Sequence, residues 1–406
     1  MNNELYVKVH QEISPPLFLA FFTLITQVLV VLGNPEAEWS ILGSVFAWKV
    51  VLFFYFWGFL SLKVPGPKFY GPVSPDGDVP EYATRGTQYF LVSNLLYLSV
   101  CFFKPDLCLW IYEDFSSIIA VLNLTALALC AVLFVQAKPR PGDVGLPKMF
   151  LYYRGVELHP RILDVDVKQW TNCRVGMLGW SILVTTFCIA SNLRNGFAPG
   201  PIAHAILLNL YLLKFFYWET GYFNTLDITL DRAGYYLCWG CLCWVQVFYT
   251  FCAYYLVYYP SQSTLLGSLS IVVFGLLSLT LNYMADYQKE KFKANKGRCF
   301  IWGKPAKYLE VETVGSDGRK KKSTLLLSGF WGMSRHMNYV FELMLAFTWS
   351  LPGFQLGIWP FLYFIFLLIL LVHRTFRDDK KCQQKYGAGW NKYCLMVPYK
   401  MIPYVF

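Results

Sequence analysis

The sequence predicts an all-α integral membrane protein with about ten transmembrane helices. Hydrophobic residues make up 56% of the 406 residues and charged residues only 15%, whereas an ordinary soluble domain has about 25% charged residues. The mean hydropathy of +0.40 agrees with this imbalance. So few charges could not cover the surface of a soluble protein of this size. The composition therefore excludes a secreted disulfide scaffold, a disordered chain and a nucleic-acid binder.

Apolar runs long enough to cross a bilayer recur along the chain, since a spanning helix needs about 20 apolar residues. The predicted spans, each uncertain by several residues at its ends, are 15–33, 41–62, 88–103, 108–136, 174–192, 202–217, 234–259, 264–284, 339–352 and 355–373. Some of these runs are short and others are overlong. Those helices must tilt, kink or lie in the membrane interface.

The positions of the basic residues predict that both termini face the cytoplasm, because cytoplasmic loops are enriched in Lys and Arg. Nearly all of the 35 Lys and Arg residues fall in segments 1–14, 63–87, 137–173, 218–233, 285–338 and 374–406. The loops predicted on the opposite side hold only Lys104 and Arg194. We interpret 1–406 as one polytopic membrane domain, with N-terminal helices in 1–200 and C-terminal helices in 201–406.

Two of the polar segments have recognisable local patterns. Segment 63–87 has a density of Pro and Gly that indicates an ordered loop or cap. Segment 285–338 contains two β-like runs, YLEVETV and STLLL, on either side of a predicted turn at GSDGRKKK. Both segments lie on the predicted cytoplasmic side.

The cysteines and histidines do not indicate a metal site. Most of the 12 cysteines lie inside apolar runs, where a thiol behaves as a small hydrophobic group. Cys238, Cys241 and Cys243 include a CxxC spacing, but no second pair of ligands and no suitably spaced His accompany them. We therefore expect no metal cofactor.

Ionisable side chains in or beside a membrane span are costly and are functional candidates for that reason. The densest group lies in KFFYWETGYFNTLDITLDRAGYY, which contains Glu219, Asp227 and Asp231 near the ends of two apolar runs. Tyr222 is three residues from Glu219, so the two would share a face of a continuing helix. The alternative is a short cytoplasmic loop in which the carboxylates are simply solvated.

A second polar group lies in the C-terminal half. Arg335, Asn338 and Glu342 recur at three- and four-residue spacing and would form a polar stripe from the cytosol into the bilayer. Lys289 and Lys293 lie four residues apart where an earlier span ends, and the C-terminal tail is rich in cations and aromatic residues. Paired cations suit the phosphates of a cofactor and aromatic side chains suit a flat ring, which predicts a cytosol-facing cofactor pocket. A surface for acidic lipid headgroups is the alternative.

Several motifs resemble one known family. SGFWGMSRHMNYVFEL, which begins at Ser328, and HRTFRDDKKCQQKYGAGWNKYCLMVPYKMIPYVF, which ends the chain, are similar to the C-terminal part of the membrane sterol reductases. LDITLDRAGYYLCWGCLCWV, KGRCFIWGKP and GVELHPR resemble further segments of that family. The likeness covers most of the chain from about residue 60.

Small differences favour the Δ7 branch of the family over the Δ14 branch. Sterol Δ14-reductases and the reductase-like domain of the lamin B receptor typically read SGWWG and then RHPNY. This chain reads SGFWG and then Arg335-His336-Met337-Asn338-Tyr339, without the proline. Gln246 is a departure, because the family usually has a proline after the preceding Trp-Val; its absence removes a helix kink and changes the expected shape of the local pocket.

The resemblance implies NADPH as the cofactor and a sterol 5,7-diene as the substrate. The cofactor contacts that it implies are Lys289, Lys293, Leu326, Trp331, Asn338, Tyr339, Asp378, Cys382, Gln383, Gln384, Lys385, Tyr386 and Tyr393. Lys293 stands where an animal form has arginine, so the charge is kept and the bidentate geometry is lost. Both the sterol site and the NADPH site would lie in 201–406.

The implied reaction reduces the Δ7 double bond by adding a proton to C8 and a hydride from NADPH to C7. A carboxyl group buried against an apolar ring system has a raised pKa and stays protonated near neutrality. Glu219 and Asp227 are therefore the candidate proton donors, with Tyr222 as the alternative. The protein supplies alignment and exclusion of water, while the hydride chemistry belongs to the cofactor.

Three alternative functions remain. The first is a sterol Δ14-reductase. The second is a membrane methyltransferase of the isoprenylcysteine type, a class that shares the RHxNY stripe and an aromatic tail but has fewer spans and lacks LDITLDRAGYY. The third is a sterol-binding scaffold without catalysis. Membrane lipid is an expected partner, the oligomeric state stays open, and the membrane would be the endoplasmic reticulum in a eukaryote or the cytoplasmic membrane in a bacterium.

Overall fold

The computed structural model describes residues 3–74, 77–138, 140–314 and 320–406. Within these ranges, nine helices are long and apolar enough to cross a membrane, which confirms an all-α, multi-pass membrane protein. The nine helices are Val9–Gly33, Val45–Lys63, Gly86–Phe103, Phe115–Gln136, Gln169–Asn195, Pro199–Tyr217, Tyr235–Tyr258, Leu265–Ala294 and Trp359–Tyr386. Large apolar side chains such as Phe53, Leu96 and Val273 are exposed on them, as expected for surfaces that face lipid.

Shorter helices and small hairpins connect these spans. The shorter α-helices are Asn3–Lys8, Asp106–Glu113, Lys148–Arg154, Glu219–Tyr222, Leu226–Thr229, Phe330–Met333, Met337–Ser350 and Ala388–Met396, and 3₁₀ turns lie at Pro141–Asp143 and Leu351–Leu356. The antiparallel strand pairs are Lys68–Tyr70 with Glu81–Ala83, Arg161–Ile162 with Val165–Asp166, Phe300–Ile301 with Lys304–Pro305, and Tyr308–Val314 with Lys320–Leu326.

The number of spans differs from the predicted ten at the run 339–352. The helix there, Met337–Ser350, has 14 residues and is about 21 Å long at a rise of about 1.5 Å per residue. The hydrocarbon core of a bilayer is about 30 Å thick, so this helix is too short to be counted as a span by length. The predicted run 108–136 is also divided, because the helix ends at Glu113 and a new one begins at Phe115.

The β-like runs in segment 285–338 form the predicted hairpin. Leu309 lies opposite Leu325 in the antiparallel register. The second strand begins at Lys320, earlier than the run STLLL. Residues 315–319 of the predicted turn GSDGRKKK lie outside the described residues.

The chain divides into two compact units. One consists of Met1–Ser263 with Gln355–Pro360, and the other of Thr264–Phe354 with Phe361–Phe406. The first unit has an aromatic core on its spanning helices, in which the ring of Tyr254 lies 4.8 Å from that of Phe115 and 5.1 Å from that of Phe187.

Loops that the charge pattern assigns to the cytoplasm contact one another in the first unit. Segment 63–87 meets segment 137–173, where Tyr82 Oη lies 3.3 Å from His159 Nδ1. Segment 137–173 in turn meets segment 218–233, where Arg232 donates to Asp143 at 3.1 Å. These contacts agree with placement of the three segments on one side of a membrane.

In the second unit, the Leu265–Ala294 helix continues well past the predicted end of its span at residue 284. Met337–Ser350 packs along it, and Asn282 Nδ2 donates to the carbonyl oxygen of Asn338 at 3.0 Å. The long helix therefore carries Lys289 and Lys293 on its C-terminal turns.

Candidate active site

The three proton-donor candidates of the first unit all contact one stretch of chain, residues 168–176. Its helical part, Gln169–Gly176, has the wide turns of a π-helix, a form that is frequent at functional sites. The contacts join Arg174 to Glu219, Asn172 to Tyr222, and Lys168 to the backbone at Asp227. The candidates thus lie together, and their partners come from a single element.

Glu219 forms a buried ion pair with Arg174. The two side chains are 3% and 1% exposed, and the two terminal guanidinium nitrogens donate to the carboxylate, Nη2 to Oε2 at 3.2 Å. A Cβ at Gly86 would collide with this carboxylate, so a larger residue there would displace the Glu219 side chain. The guanidinium gives the carboxylate a partner for its negative charge. Glu219 is therefore not in the purely apolar surroundings that the sequence interpretation assumed.

Tyr222 accepts a hydrogen bond from the Asn172 amide nitrogen. Its ring lies 5.3 Å from that of Phe215, beside a buried cluster formed by Tyr82, Cys173, Phe223 and Ile228. Burial raises the pKa of Tyr222 well above its ordinary value, while the hydrogen bond from Asn172 acts in the opposite direction. The phenol therefore carries its proton at neutral pH.

Asp227 is half-buried on the short helix Leu226–Thr229. The fully buried Lys168 holds the end of this helix by donating to the carbonyl oxygens of Ile228 at 2.5 Å, Asp231 at 3.0 Å and Asp227 at 3.5 Å. A cation is favourable at a helix C-terminus, where carbonyl groups lack helical partners. Burial lowers the pKa of Lys168 to about 8, and the neighbouring Asp166 carboxylate opposes this shift.

Sequence reasoning missed Lys168, Asn172 and Arg174. They lie in VDVKQWTNCRVGM, directly before and within an apolar run. The rule that singled out Glu219, namely that ionisable groups at the edge of a span are functional candidates, applies equally to Lys168 and Arg174.

Gln246 takes part in packing where the family usually has a proline. Its amide nitrogen donates to the carbonyl oxygens of Gly176 at 3.1 Å and Cys241 at 3.3 Å. It thereby ties the helix that carries Arg174 to the π-helical stretch Tyr235–Tyr249. Cys238, Cys241 and Cys243 are buried in the same stretch. Across the described ranges, no group of His, Cys, Asp and Glu is arranged to hold a metal ion.

Four of the cofactor candidates form one contact group in the second unit. The Lys289 ammonium lies 3.9 Å from the centre of the Trp331 ring, within the range of a cation–π interaction. Tyr393 donates to the Trp331 carbonyl oxygen at 3.3 Å, and Leu326 packs in a buried cluster with Trp331. The Phe330–Met333 helix and the hairpin thus bring these residues to the end of the long helix.

A second contact group contains Asn338, Tyr339 and Asp378. Tyr339 donates to the Asp378 carboxylate at 3.0 Å, and Asn338 Nδ2 donates to Asp286 at 3.1 Å. The other end of the same amide, Asn338 Oδ1, is buried without a hydrogen-bond partner among the residues described. A buried acceptor of this kind can take a hydrogen bond from a ligand.

The remaining cofactor candidates lie on the last turns of the spanning helix that ends at Tyr386. Cys382 and Tyr386 pack against the buried cluster of Trp390, Tyr393 and Val397. The other candidates are exposed: Gln383, Gln384 and Lys385 on this helix, and Lys293 on the Leu265–Ala294 helix.

Asp379 is a residue that sequence reasoning missed in the second unit. It accepts hydrogen bonds from Arg335 at 2.9 Å and from the Trp390 indole at 3.1 Å, and Lys400 lies 3.5 Å from its other oxygen. The predicted polar stripe is therefore held at Arg335 by a carboxylate from the tail, next to Asp378.

Comparisons with known proteins agree with this arrangement of motifs. Residues 6–406 match the model of the family described as "Ergosterol biosynthesis ERG4/ERG24 family". A relative named 7-dehydrocholesterol reductase, from Arabidopsis thaliana, is 36% identical over 370 residues, which cover 89% of this chain and 86% of the relative. A protein of the same name from Xenopus laevis is 30% identical over 391 residues, covering 92% and 82%.

Relatives of the other branch match over a similar length. A protein named Delta(14)-sterol reductase, from Methylotuvimicrobium alcaliphilum, is 30% identical over 374 residues, which cover 91% of this chain and 84% of the relative. Both the family model and these relatives extend over nearly the whole chain. The chain therefore belongs to the ERG4/ERG24 family of sterol reductases, which are membrane oxidoreductases.

Proposed function

We propose that the chain is an NADPH-dependent sterol Δ7-reductase, which saturates the C7–C8 bond of a 5,7-diene as in the conversion of 7-dehydrocholesterol to cholesterol. The observation that carries this proposal is a difference in identity. The relative from Arabidopsis thaliana that is named 7-dehydrocholesterol reductase is 36% identical, whereas the Xenopus laevis protein of the same name and the relative named Delta(14)-sterol reductase are each 30% identical. The run from Arg335 to Tyr339, which lacks the proline of the Δ14 branch, adds support.

Sterol Δ14 reduction is the second candidate function. Relatives named Delta(14)-sterol reductase match this chain over 91% and 95% of its length. Both reactions add a proton and a hydride across a ring double bond, so the same proton donor would serve either reaction.

The described residues fit NADPH as the cofactor. Lys289 and Lys293 are exposed cations one helical turn apart, and such a pair suits phosphate groups. The buried Asn338 Oδ1 has no partner among the described side chains and backbone groups, so it can accept a hydrogen bond from an amide such as the nicotinamide carboxamide. When bound, the cofactor would supply a hydride to C7.

We assign the role of proton donor to Tyr222. Both carboxylate oxygens of Glu219 accept hydrogen bonds from Arg174, so this side chain is already used in an ion pair. The raised pKa of Tyr222 keeps its phenol neutral. Asp227 is the remaining carboxyl candidate, and it is half-buried.

The residues would then act in the following way. The O–H bond of Tyr222 breaks as its proton passes to C8, and the electron pair of the C7–C8 double bond forms the new C8–H bond. Positive charge remains at C7, next to the second double bond, until the hydride arrives. The Tyr222 oxygen regains a proton from water. The Arg174–Glu219 pair holds the short helix that carries Tyr222.

The test measures which double bond the purified chain reduces. Reconstituted protein is incubated with NADPH and either 7-dehydrocholesterol or a Δ8,14 sterol, and the products are identified by mass spectrometry. We expect cholesterol from the first sterol and little change in the second. Preferential loss of the Δ14 bond would assign the chain to the other branch. Sterol binding without turnover of either sterol would indicate a scaffold, and methyl transfer from S-adenosylmethionine would indicate the methyltransferase.

A further inference from the structure

We propose that Asn172 is a positioning residue for proton transfer, which acts by donating its amide N–H to the phenolic oxygen of Tyr222 and leaving the phenolic hydrogen for the sterol. This inference rests on the proposed function, because it takes Tyr222 as the donor. Asn172 and Tyr222 belong to two elements that are far apart in sequence.

The geometry makes Asn172 a fixed partner for Tyr222. Tyr222 lies on Glu219–Tyr222, a helix of only four residues, which is too short to hold its own conformation. Two side chains of the Gln169–Gly176 stretch hold this helix in place: Arg174 binds Glu219, and Asn172 binds Tyr222. Asn172 is itself only 6% exposed. The phenolic oxygen is therefore placed by this pair of contacts.

The numbers of hydrogen bonds that the two groups can donate and accept define the chemical role of Asn172. A phenolic oxygen can accept hydrogen bonds and donate one, whereas an amide NH₂ can only donate. Because the amide nitrogen occupies an acceptor position, the phenolic hydrogen is not consumed by Asn172. As the proton leaves for C8, negative charge grows on the Tyr222 oxygen, and a hydrogen bond to a charged oxygen is stronger than one to a neutral oxygen. Asn172 thus stabilises the charge that develops during the transfer.

Asn209 is the matched control for Asn172, because it does not contact Tyr222. Asn209 is an amide of the same unit, and both of its ends are satisfied: Oδ1 accepts from Ser181, and Nδ2 donates to Thr185 at 3.2 Å and to the Ala205 carbonyl at 2.9 Å. Asn172 Oδ1, by contrast, is buried with no partner among the described atoms. An unsatisfied buried acceptor costs free energy, so Asn172 lacks the full set of hydrogen bonds that Asn209 makes.

The experiment is a double-mutant cycle on the full-length reconstituted protein, using whichever sterol the wild type reduces. Asn172→Leu should lower kcat about tenfold to a hundredfold, the range of a hydrogen bond to a charged group. Tyr222→Phe should lower kcat at least about a hundredfold. The double variant should be no slower than Tyr222→Phe, since Asn172 acts only through Tyr222. The affinity for NADPH should stay unchanged, and Asn209→Leu should leave kcat per folded molecule unchanged.

A second variant covers the case in which Asn172→Leu does not fold. Asn172→Asp keeps the shape, but its carboxylate can only accept and would capture the phenolic hydrogen. We expect low turnover at neutral pH and recovery as the pH falls, because a protonated Asp can again donate to Tyr222. Full activity of Asn172→Leu, additive losses in the double variant, or no recovery of Asn172→Asp at low pH would each overturn the proposal. Reduction of only the Δ14 bond by the wild type would instead overturn the Δ7 assignment. The double-mutant cycle of Asn172 and Tyr222 would then be measured with the Δ14 sterol and would still test the role of Asn172.

Discussion

Arg174 and Glu219 show what a buried charge requires at the scale of single residues. Each side chain is almost fully buried, and taking a charge out of water is costly unless a partner and hydrogen bonds compensate. The two terminal nitrogens of the Arg174 guanidinium supply that compensation, because each donates to one oxygen of Glu219. Loss of one partner would leave the other charge buried alone, so the two residues must be understood as one unit.

The first prediction concerns this ion pair. Glu219→Gln and Arg174→Gln should each lower stability by about 3–5 kcal/mol, the cost of breaking a buried pair. The double variant should lose clearly less than the sum of the two, because it leaves no uncompensated charge. Thermal unfolding in detergent measures all three proteins. The matched control is Glu81→Gln, which breaks the largely exposed pair with Lys68 and should cost clearly less, because solvent screens an exposed pair. Additive losses would show that the pair is not coupled.

The second prediction concerns pH and Lys168. Its pKa is about 8 in the folded chain, whereas an unfolded lysine titrates near pH 10.4. Between these values the unfolded chain binds more protons than the folded chain, so the free energy of unfolding rises as the pH increases. The rise should approach about 3 kcal/mol, since one pKa unit corresponds to about 1.4 kcal/mol.

Stability measured from pH 7.5 to 10 in wild type and in Lys168→Met isolates this effect. The difference between the two proteins removes the contribution of other groups that titrate in the same window. We expect the wild type to gain stability relative to Lys168→Met across the window. Parallel stability curves for the two proteins would contradict the lowered pKa.

At the scale of elements, the length of the Leu265–Ala294 helix determines the predicted cofactor site. The apolar run ends near residue 284, but the helix continues to Ala294. Because residues four apart lie on one face of a helix, the extension places Lys289 and Lys293 side by side. Lys291 is on a different face of the same turns. The Phe330–Met333 helix then brings Trp331 beneath the Lys289 ammonium.

The third prediction tests these lysines. Lys289→Ala or Lys293→Ala should weaken NADPH binding about tenfold to a hundredfold, which is the value of a charge-assisted contact. Lys291→Ala is the matched control and should bind NADPH normally. Quenching of tryptophan fluorescence by NADPH and by NADH gives the affinities. If a lysine contacts the 2′-phosphate, only NADPH binding should weaken; if it contacts the diphosphate, both should weaken. Normal NADPH affinity in both variants would exclude the lysines from the site.

At the scale of the whole molecule, the distribution of charge and the contacts between loops indicate how the chain is oriented in the membrane. Segments 63–87, 137–173 and 218–233 contact one another in the first unit. On the predicted opposite side, Arg194 pairs with Glu36 at 3.0 Å. Each set of loops therefore makes contacts within itself, which agrees with the separation predicted from the positive charges.

The fourth prediction is that these two sets of loops face opposite sides of the membrane, with the N-terminus and segments 63–87, 137–173 and 218–233 in the cytoplasm. Cysteines introduced at positions 36 and 197 should react with an impermeant maleimide added from the non-cytoplasmic side and should be protected from the cytoplasmic side. The parent chain is the control, because Cys188, Cys299, Cys382 and Cys394 are partly exposed. Labelling from the cytoplasm would overturn the orientation.

A candidate residue could be predicted from sequence where its neighbours in the chain make it stand out. Glu219, Tyr222 and Asp227 stand out because polar groups at the edge of an apolar run are rare and costly. Their partners Arg174, Asn172 and Lys168 lie 45, 50 and 59 residues earlier in the chain. No periodicity connects residues at such separations, so the pairing could not be predicted.

The sequence by itself determined the membrane class and the family, and it predicted the side on which each polar loop lies, because hydropathy, motifs and positive charge are local properties that need no contact information. The tertiary structure decided which short helices are held by which side chains. It showed that Glu219 is buried with Arg174, that Asn172 contacts Tyr222, and that Met337–Ser350 is too short to count as a span. These features depend on contacts between distant segments and on where helices end, and a one-dimensional pattern of polar and apolar residues contains neither.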